Sequence, residues 1–405
     1  MKILFLCGIY PQSFKDEIFN NSKKGYQFAA QTFQEAVVEG LLQNDVDFSI
    51  ATIPFISSFP LGYKKPIINL KASKINNKAV VTKSYFINIP FLKTLSSNTK
   101  NEVFKWCKDN SSEKVLHIIV YSLNANLIDI AVKTKLKFKN IKLSVIVLDL
   151  PEFMGSNYIY KFLGLQKKDT QFIYDSLKYF EHFILLTEAM NRKLHLGKNN
   201  YCVVEGIFNS QQKNQDHIQL LDKDNKNILY TGALVRKYGI ETLLKAFSLI
   251  NDDRYRLIIC GEGEAKELIE EYCKIDLRIQ YRGKVAHDLI LSYQKQADLL
   301  INPRTPIGEY TEFSFPSKTM EYFASGTPVL MYKLPGVPPT YFDYCYTLND
   351  NSEVTLSKKI VEILNLPNYE REEMGKRAAN FIVEKKNSKS QVNKILRLIN
   401  SDILN

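Results

Sequence analysis

The chain alternates short, continuously apolar runs with segments of helical periodicity, and it does so in two series. KILFLC (2–7), VLHIIVYSL (115–123) and LSVIVLDL (143–150) are apolar throughout, as strands covered on both faces must be. NLIDIAVKTK, between the last two, repeats its apolar residues at helical spacing, as does the stretch that starts at Gly25, GYQFAAQTFQEAVVEGLLQN. Strands alternating with helices fold as a parallel sheet with helices on both faces, so the expected class is a doubly wound α/β protein. HFILLTEAM (182–190) and NYCVVEGIF (200–208) close the first series, and the polar run SQQKNQDHIQLLDKDNK (210–226) interrupts the pattern. The second series begins with NILYTG (227–232) and IETLLKAFSLIN, and continues through YRLIICGEGEAKELIEEY (255–272) and LRIQYRGKVAHDLILSYQKQADLLINPR (277–304). A chain of 405 residues exceeds one ordinary domain. The predicted organisation is a first domain over 1–210, a linker over 211–226, a second domain over 227–385 and a last helical segment over 386–405. A last strand is expected after Pro328, followed by two helical segments from about Val354 to Leu404.

With 45% hydrophobic residues the composition is that of a folded globular protein. Six cysteines are scattered without a C-x-x-C pair, which reads as reduced core residues and points to the cytoplasm. The first apolar run is too short for a signal peptide, and no segment approaches the roughly 18 uncharged apolar residues of a membrane span. The net charge of +11 is uneven: residues 1–210 hold 27 basic against 17 acidic side chains, and residues 211–405 hold 27 against 26. Residues 48–101 contain eight lysines and no acid, and KTKLKFKNIK (133–142) is a second basic cluster. Such lysines serve equally as a solvated surface or as a site for an anionic membrane or a lipid diphosphate. Charge alone also fits nucleic acid, but no recognition motif accompanies it, so a nucleic-acid partner is not expected.

FSFPSKTMEYFASGTPVL (313–330) carries the chemistry. Pro316 and Ser317 open a helix, Gly326 closes it, and an apolar strand follows Pro328. With Ser317 as N-cap, the free N–H groups and Lys318 suit a diphosphate. Glu321, one turn further, can accept two hydroxyl hydrogen bonds, which is what a ribose offers. The plainer alternative is a surface helix with a serine cap and a solvated glutamate.

These residues resemble the donor-binding segment of glycosyltransferase family 4, retaining enzymes of the GT-B fold. The resemblance implies two Rossmann-like domains facing a central cleft, with the last helix crossing back to the first domain. The family's Glu, seven residues, Glu motif reaches the donor sugar with its first Glu and the nucleotide ribose with its second. Glu321 matches the second position and is followed by the expected SGTPVL. Phe313 stands at the first position, with Glu312 one residue early as the candidate that contacts the sugar. The family's Gly-Arg-Leu, short loop, Lys-Gly pattern is met by Gly232 and Gly239, while Ala233 and Tyr238 occupy the basic positions and Arg236 and Lys237 stand as displaced substitutes. Gly261 and Gly263 either line the nucleotide pocket, as in the family, or simply make a turn. Arg282, with Gly283 and Lys284, is expected near the base, and Gly8, which ends the first strand, is counted with the donor-binding set. Asp149 is the acceptor-side catalytic candidate, its alternative being a cap of the following turn. His117 reads as a core histidine.

The implied activity moves a sugar from a nucleoside diphosphate sugar to a hydroxyl of a lipid-linked or glycan acceptor, in cell-surface polysaccharide or glycolipid synthesis. The diphosphate sugar is a co-substrate, and no metal or other cofactor is called for. The implied location is the cytoplasm, peripheral at the inner face of the plasma membrane. A nucleotide-sugar epimerase of the same fold and a non-catalytic glycosyltransferase-like binding partner are the alternatives.

Overall fold

The computed structural model describes residues 2–23, 27–76, 78–90, 92–153, 164–209 and 219–401. They form two compact units, Met1–Ile207 with Ser388–Asn405, and Phe208–Asn387. The expected helix start at Gly25 and the linker residues 211–218 lie outside the described residues. The rest of the expected linker is packed structure. Leu221 is buried, the backbone N–H groups of Leu220 and Leu221 donate to Gln296 Oε1, and a strand begins at Lys226.

The first unit is built on β1 (Lys2–Cys7), β2 (Phe48–Thr52), β4 (Ser73–Asn76), β5 (Ala79–Val81), β7 (Leu116–Tyr121), β8 (Ile141–Val147), β9 (His182–Leu185) and β10 (Tyr201–Val203). Their order is β10-β9-β8-β7-β1-β2-β5-β4, parallel except for the β4–β5 pair. The acid-free stretch adds an antiparallel pair, β3 (Ile67–Leu70) with β6 (Ser84–Ile87). Every residue of β7 is buried, which is why its sequence shows no alternation. Helix Ser388–Asn400 belongs to this unit and packs on helix Phe28–Gln43. Val392, Ile395, Leu396 and Ile399, one face at helical spacing, enter the same core as Ile3, Phe5 and Val37.

The second unit is a six-stranded parallel sheet of β11 (Lys226–Thr231), β12 (Tyr255–Cys260), β13 (Ile279–Gly283), β14 (Leu299–Asn302), β15 (Val329–Tyr332) and β16 (Tyr346–Leu348). Its order is β13-β12-β11-β14-β15-β16, so the winding reverses between β11 and β14. Ligands of such sheets sit outside the strand carboxyl ends at that reversal. Two expectations are corrected. β15 is not the last strand, because Tyr346–Leu348 adds a short edge too brief to show a pattern. The chain ends in three described helices rather than two, Glu353–Leu364, Asn368–Lys385 and Ser388–Asn400, because Pro367 and the turn at Asn387 break the helical run.

Candidate donor site and first-unit candidates

At the reversal point the backbone comes first. The loop after β11 lies directly against the loop after β12: Leu234 N donates to Glu262 O at 2.9 Å and Ala265 N to Leu234 O at 2.9 Å. A Cβ on Gly261 would stand 1.8 Å from Gly232 O, and one on Gly263 would stand 2.5 Å from Leu234 O. Both glycines have positive φ, +149° and +156°. Both glycines therefore let two loop backbones touch, as the turn reading requires, and this close approach is compatible with lining a pocket as well. Gly232 sits beside Lys318, whose Cγ lies 3.9 Å from where a Gly232 Cβ would be.

Helix Lys318–Ala324 delivers the charged pair, and Gly326 ends it at φ +79°. Ser317 does not cap it. Its backbone is already helical (φ −55°, ψ −31°), whereas a capping side chain needs an extended residue to reach the next N–H groups, and its hydroxyl makes no cap bond. The helix is instead fixed by Tyr322. This buried phenol accepts from Thr231 N at 2.7 Å and donates to Thr231 O at 3.0 Å, tying the helix to the end of β11. Lys318 Nζ and Gln294 Nε2 both donate to Glu321 Oε1, at 2.7 and 2.6 Å. Lys318 thus has a local anionic partner, which accounts for a cation in the first turn of a helix.

Arg236 and Lys237 form the short 3-10 turn after β11, and both are exposed. Lys237 Nζ lies 4.7 Å from the centre of the Tyr310 ring, and the Tyr310 hydroxyl donates to Lys237 O at 3.3 Å. Between Tyr310 and Tyr238 sits Arg304, which follows β14 and was not singled out from the sequence. Its guanidinium carbon is 4.7 and 5.1 Å from the two ring centres, and Nη2 donates to Ser314 Oγ at 2.6 Å. Arg304 is 7% exposed, and its Nε is buried without a hydrogen-bond partner. The available signal was positional: an arginine directly after an apolar strand, LLINPR, falls at a strand carboxyl end. Glu312 is half-buried in the loop that Arg304 holds, while Phe313 is buried and cannot offer a polar contact in its place. Arg282 lies at the exposed end of β13 and donates to Gln280 Oε1 at 2.6 Å.

In the first unit, Gly8 is a packing glycine. Its N–H donates to Gln34 Oε1 at 2.8 Å, and a Cβ there would stand 2.3 Å from the Phe55 ring. Asp149 follows β8 with an exposed surface, yet desolvation pushes its carboxyl above the ordinary range. It stands near Tyr121 at the end of β7, where burial first, then Cys7 and Asp149, push the phenol up. Ser122, next in the chain, has φ +66°, an uncommon conformation for a serine. His117 is fully buried in β7, its Nε2 2.7 Å from Ser144 Oγ and its ring stacked on His182. All six cysteines are free.

The basic stretches are not uniform. Lys93 is half-buried, donates to Pro54 O and Ile56 O at 3.2 and 3.1 Å, and has its pKa lowered to about 8 by desolvation. Its ammonium is committed to those two carbonyls, which sets it apart from the exposed lysines. Lys65, Lys78, Lys83, Lys133 and Lys135 are ion-paired to Glu17, Asp45, Glu102, Asp129 and Glu181. Lys71, Lys74, Lys100 and Lys139 are exposed. No helix among the described residues is long and apolar enough to cross a membrane.

Two units with parallel, doubly wound sheets, the second carrying basic side chains and a half-buried carboxylate at its winding reversal, define a GT-B protein. Residues 211–381 match the family described as glycosyl transferases group 1, a match that supports a glycosyltransferase. Among solved structures it is similar to HepE of Anabaena in complex with UDP (13% identity, TM-score 0.60, covering 99% of this chain and 100% of that one). It is also similar to sucrose-phosphate synthase from Thermosynechococcus elongatus (15%, TM-score 0.65, 100% of both). A third is the E. coli trehalose-6-phosphate structure bound with UDP-2-fluoro glucose (10%, TM-score 0.63, 100% and 99%). At these identities the likeness establishes the fold. No curated protein sequence matches the chain significantly.

Proposed function

We propose that the chain is a retaining enzyme of glycosyltransferase family 4 that moves a sugar from a nucleoside diphosphate sugar to a hydroxyl acceptor, lipid-linked or glycan, in cell-surface polysaccharide or glycolipid synthesis. The observation that carries this reading is the Lys318–Glu321–Gln294 cluster beside Gly232, at the carboxyl end of β11. Glu321 takes the ribose hydroxyls, and Lys318, with Arg236 and Lys237, meets the negative charge that grows on the diphosphate as the glycosidic bond breaks. Arg282 is assigned to the base side and Glu312 to the donor sugar. The first unit is assigned the acceptor, with Asp149 as its polar group; a carboxyl held above its ordinary pKa is better suited to sharing a hydroxyl proton. Several structural neighbours are complexes with UDP or UDP-glucose, which supports a nucleoside diphosphate sugar and makes UDP the first probe. Exposed lysines of the first unit, Lys71, Lys74, Lys100 and Lys139, are proposed to hold the enzyme at the anionic inner face of the plasma membrane.

The test is slow release of UDP from UDP-glucose, or of the matching diphosphate from other sugar nucleotides, without acceptor. Release that persists in EDTA is expected, because the reading places the leaving-group charge on side chains. Absence of release from every sugar nucleotide tried, together with absence of thermal stabilisation by any nucleoside diphosphate, contradicts the proposal. A ligand at 100 times its dissociation constant should stabilise by about 2.7 kcal/mol.

A further inference from the structure

We propose that Gln294 presents Glu321 to the donor ribose, a positioning role that rests on the donor-site reading above. Gln294 is fully buried near the end of helix His287–Gln296. Its Nε2 donates to Glu321 Oε1 at 2.6 Å and to Thr231 Oγ1 at 3.2 Å, and Thr327 Oγ1 donates to its main-chain oxygen at 2.6 Å. The amide nitrogen is therefore held by two acceptors, the last residue of β11 and the carboxylate. Turning it over would set its oxygen against the oxygen of Glu321, so only the observed orientation satisfies the carboxylate.

The arrangement has a cost. Gln294 Oε1 is buried without a hydrogen-bond partner. An unpartnered buried carbonyl is destabilising, and an apolar side chain of the same length would remove that penalty. A stability argument alone does not account for this glutamine, whereas control of Glu321 does. Lys318 and Gln294 converge on one oxygen, Oε1, and Oε2 has no protein partner among the described residues. A ribose offers two neighbouring hydroxyl donors, and Oε2 is the atom left to receive them. When a diphosphate draws Lys318 away, Gln294 keeps the carboxylate in place, because its own anchor on Thr231 is independent of any ligand.

The experiment is calorimetric titration of UDP, GDP and ADP into the full chain, followed by the 2′,3′-dideoxy form of the best binder, in the parent protein, Gln294→Met and Gln294→Leu. The parent should prefer the ribose form by about tenfold or more, as for a charge-assisted hydrogen bond. In the variants that preference should fall to near unity, with the dideoxy affinity changed by less than about twofold. Gln294→Asn, shortened by one methylene, serves the same measurement where the apolar variants do not fold. A parent without preference for the ribose form overturns the donor-site reading and this proposal with it. A parent that discriminates, with variants that discriminate equally or lose both affinities in parallel, overturns the Gln294 role while the site itself stands.

Discussion

Lys318 and Glu321 form an ion pair at 2.7 Å, and each is proposed to hold a different part of one ligand. Lys318→Ala should weaken nucleoside diphosphate binding by about 1.5 to 3 kcal/mol, the range of a charge-assisted bond, with little loss of stability, since Gln294 still donates to Glu321 Oε1. Unchanged affinity by calorimetry rejects that role. Glu312→Gln should lower kcat far more than it raises KM if its carboxylate meets the sugar mainly in the transition state; a silent substitution assigns the contact to other groups. Lys93 makes a pH prediction. Its pKa is lowered from 10.5 to about 8, so between those values the unfolded chain binds a proton that the folded chain does not, and stability gains from this group as pH rises. The penalty of burying the charge is complete below about pH 8 and is relieved toward pH 10.5. Urea titrations should show the parent rising relative to Lys93→Met by up to about 1.4 kcal/mol per pH unit in that window, and parallel curves refute it. Lys318 and Glu321 were legible because their chemistry is local to one helix turn. Gln294 and Arg304 were not, because each matters through partners far away in sequence: Thr231 and Glu321 for the first, Tyr238, Tyr310 and Ser314 for the second.

The strands were the most readable elements, since a parallel sheet covered on both faces writes itself as unbroken apolar runs such as KILFLC and VLHIIVYSL. Three-residue β16 leaves no such trace, whereas the helix break at Pro367 is written in the proline itself, inside a long run of helix-forming residues. Ser317 shows the limit of cap reading: the residue type fits an N-cap, but Pro316 O already accepts from Thr319 N, so Ser317 lies within the first turn. What fixes this helix is tertiary, the Tyr322 hydroxyl on both polar groups of Thr231. Tyr322→Phe should leave the buried Thr231 N–H without that acceptor and cost about 1 to 3 kcal/mol in denaturant unfolding. A change within about 0.5 kcal/mol would mean that the helix is held by its apolar face alone.

For the molecule as a whole, the basic excess of residues 1–210 leads to an electrostatic prediction. Binding of the full chain to vesicles containing anionic lipid should fall steeply as ionic strength passes about 0.15 M, and replacing Lys71, Lys74, Lys100 and Lys139 together with alanine should weaken it at low salt. Salt-independent binding, or none, removes the membrane from the account. The fold class was readable because the apolar pattern restarts after the polar run, and the likeness to glycosyl transferases group 1 because motif residues cluster between 232 and 331. The order β13-β12-β11-β14-β15-β16 was not readable, since sequence gives strands but not neighbours. The central claim is that the reversal point of that sheet binds a nucleoside diphosphate through Lys318 and Glu321. It is tested most directly by titrating UDP, GDP and ADP into the parent chain and into the double variant Lys318→Ala, Glu321→Ala. Saturable binding of one of them to the parent, weakened at least about tenfold in a double variant that still unfolds cooperatively, is the predicted result. Equal affinity in the two proteins, or no binding to the parent, would contradict it.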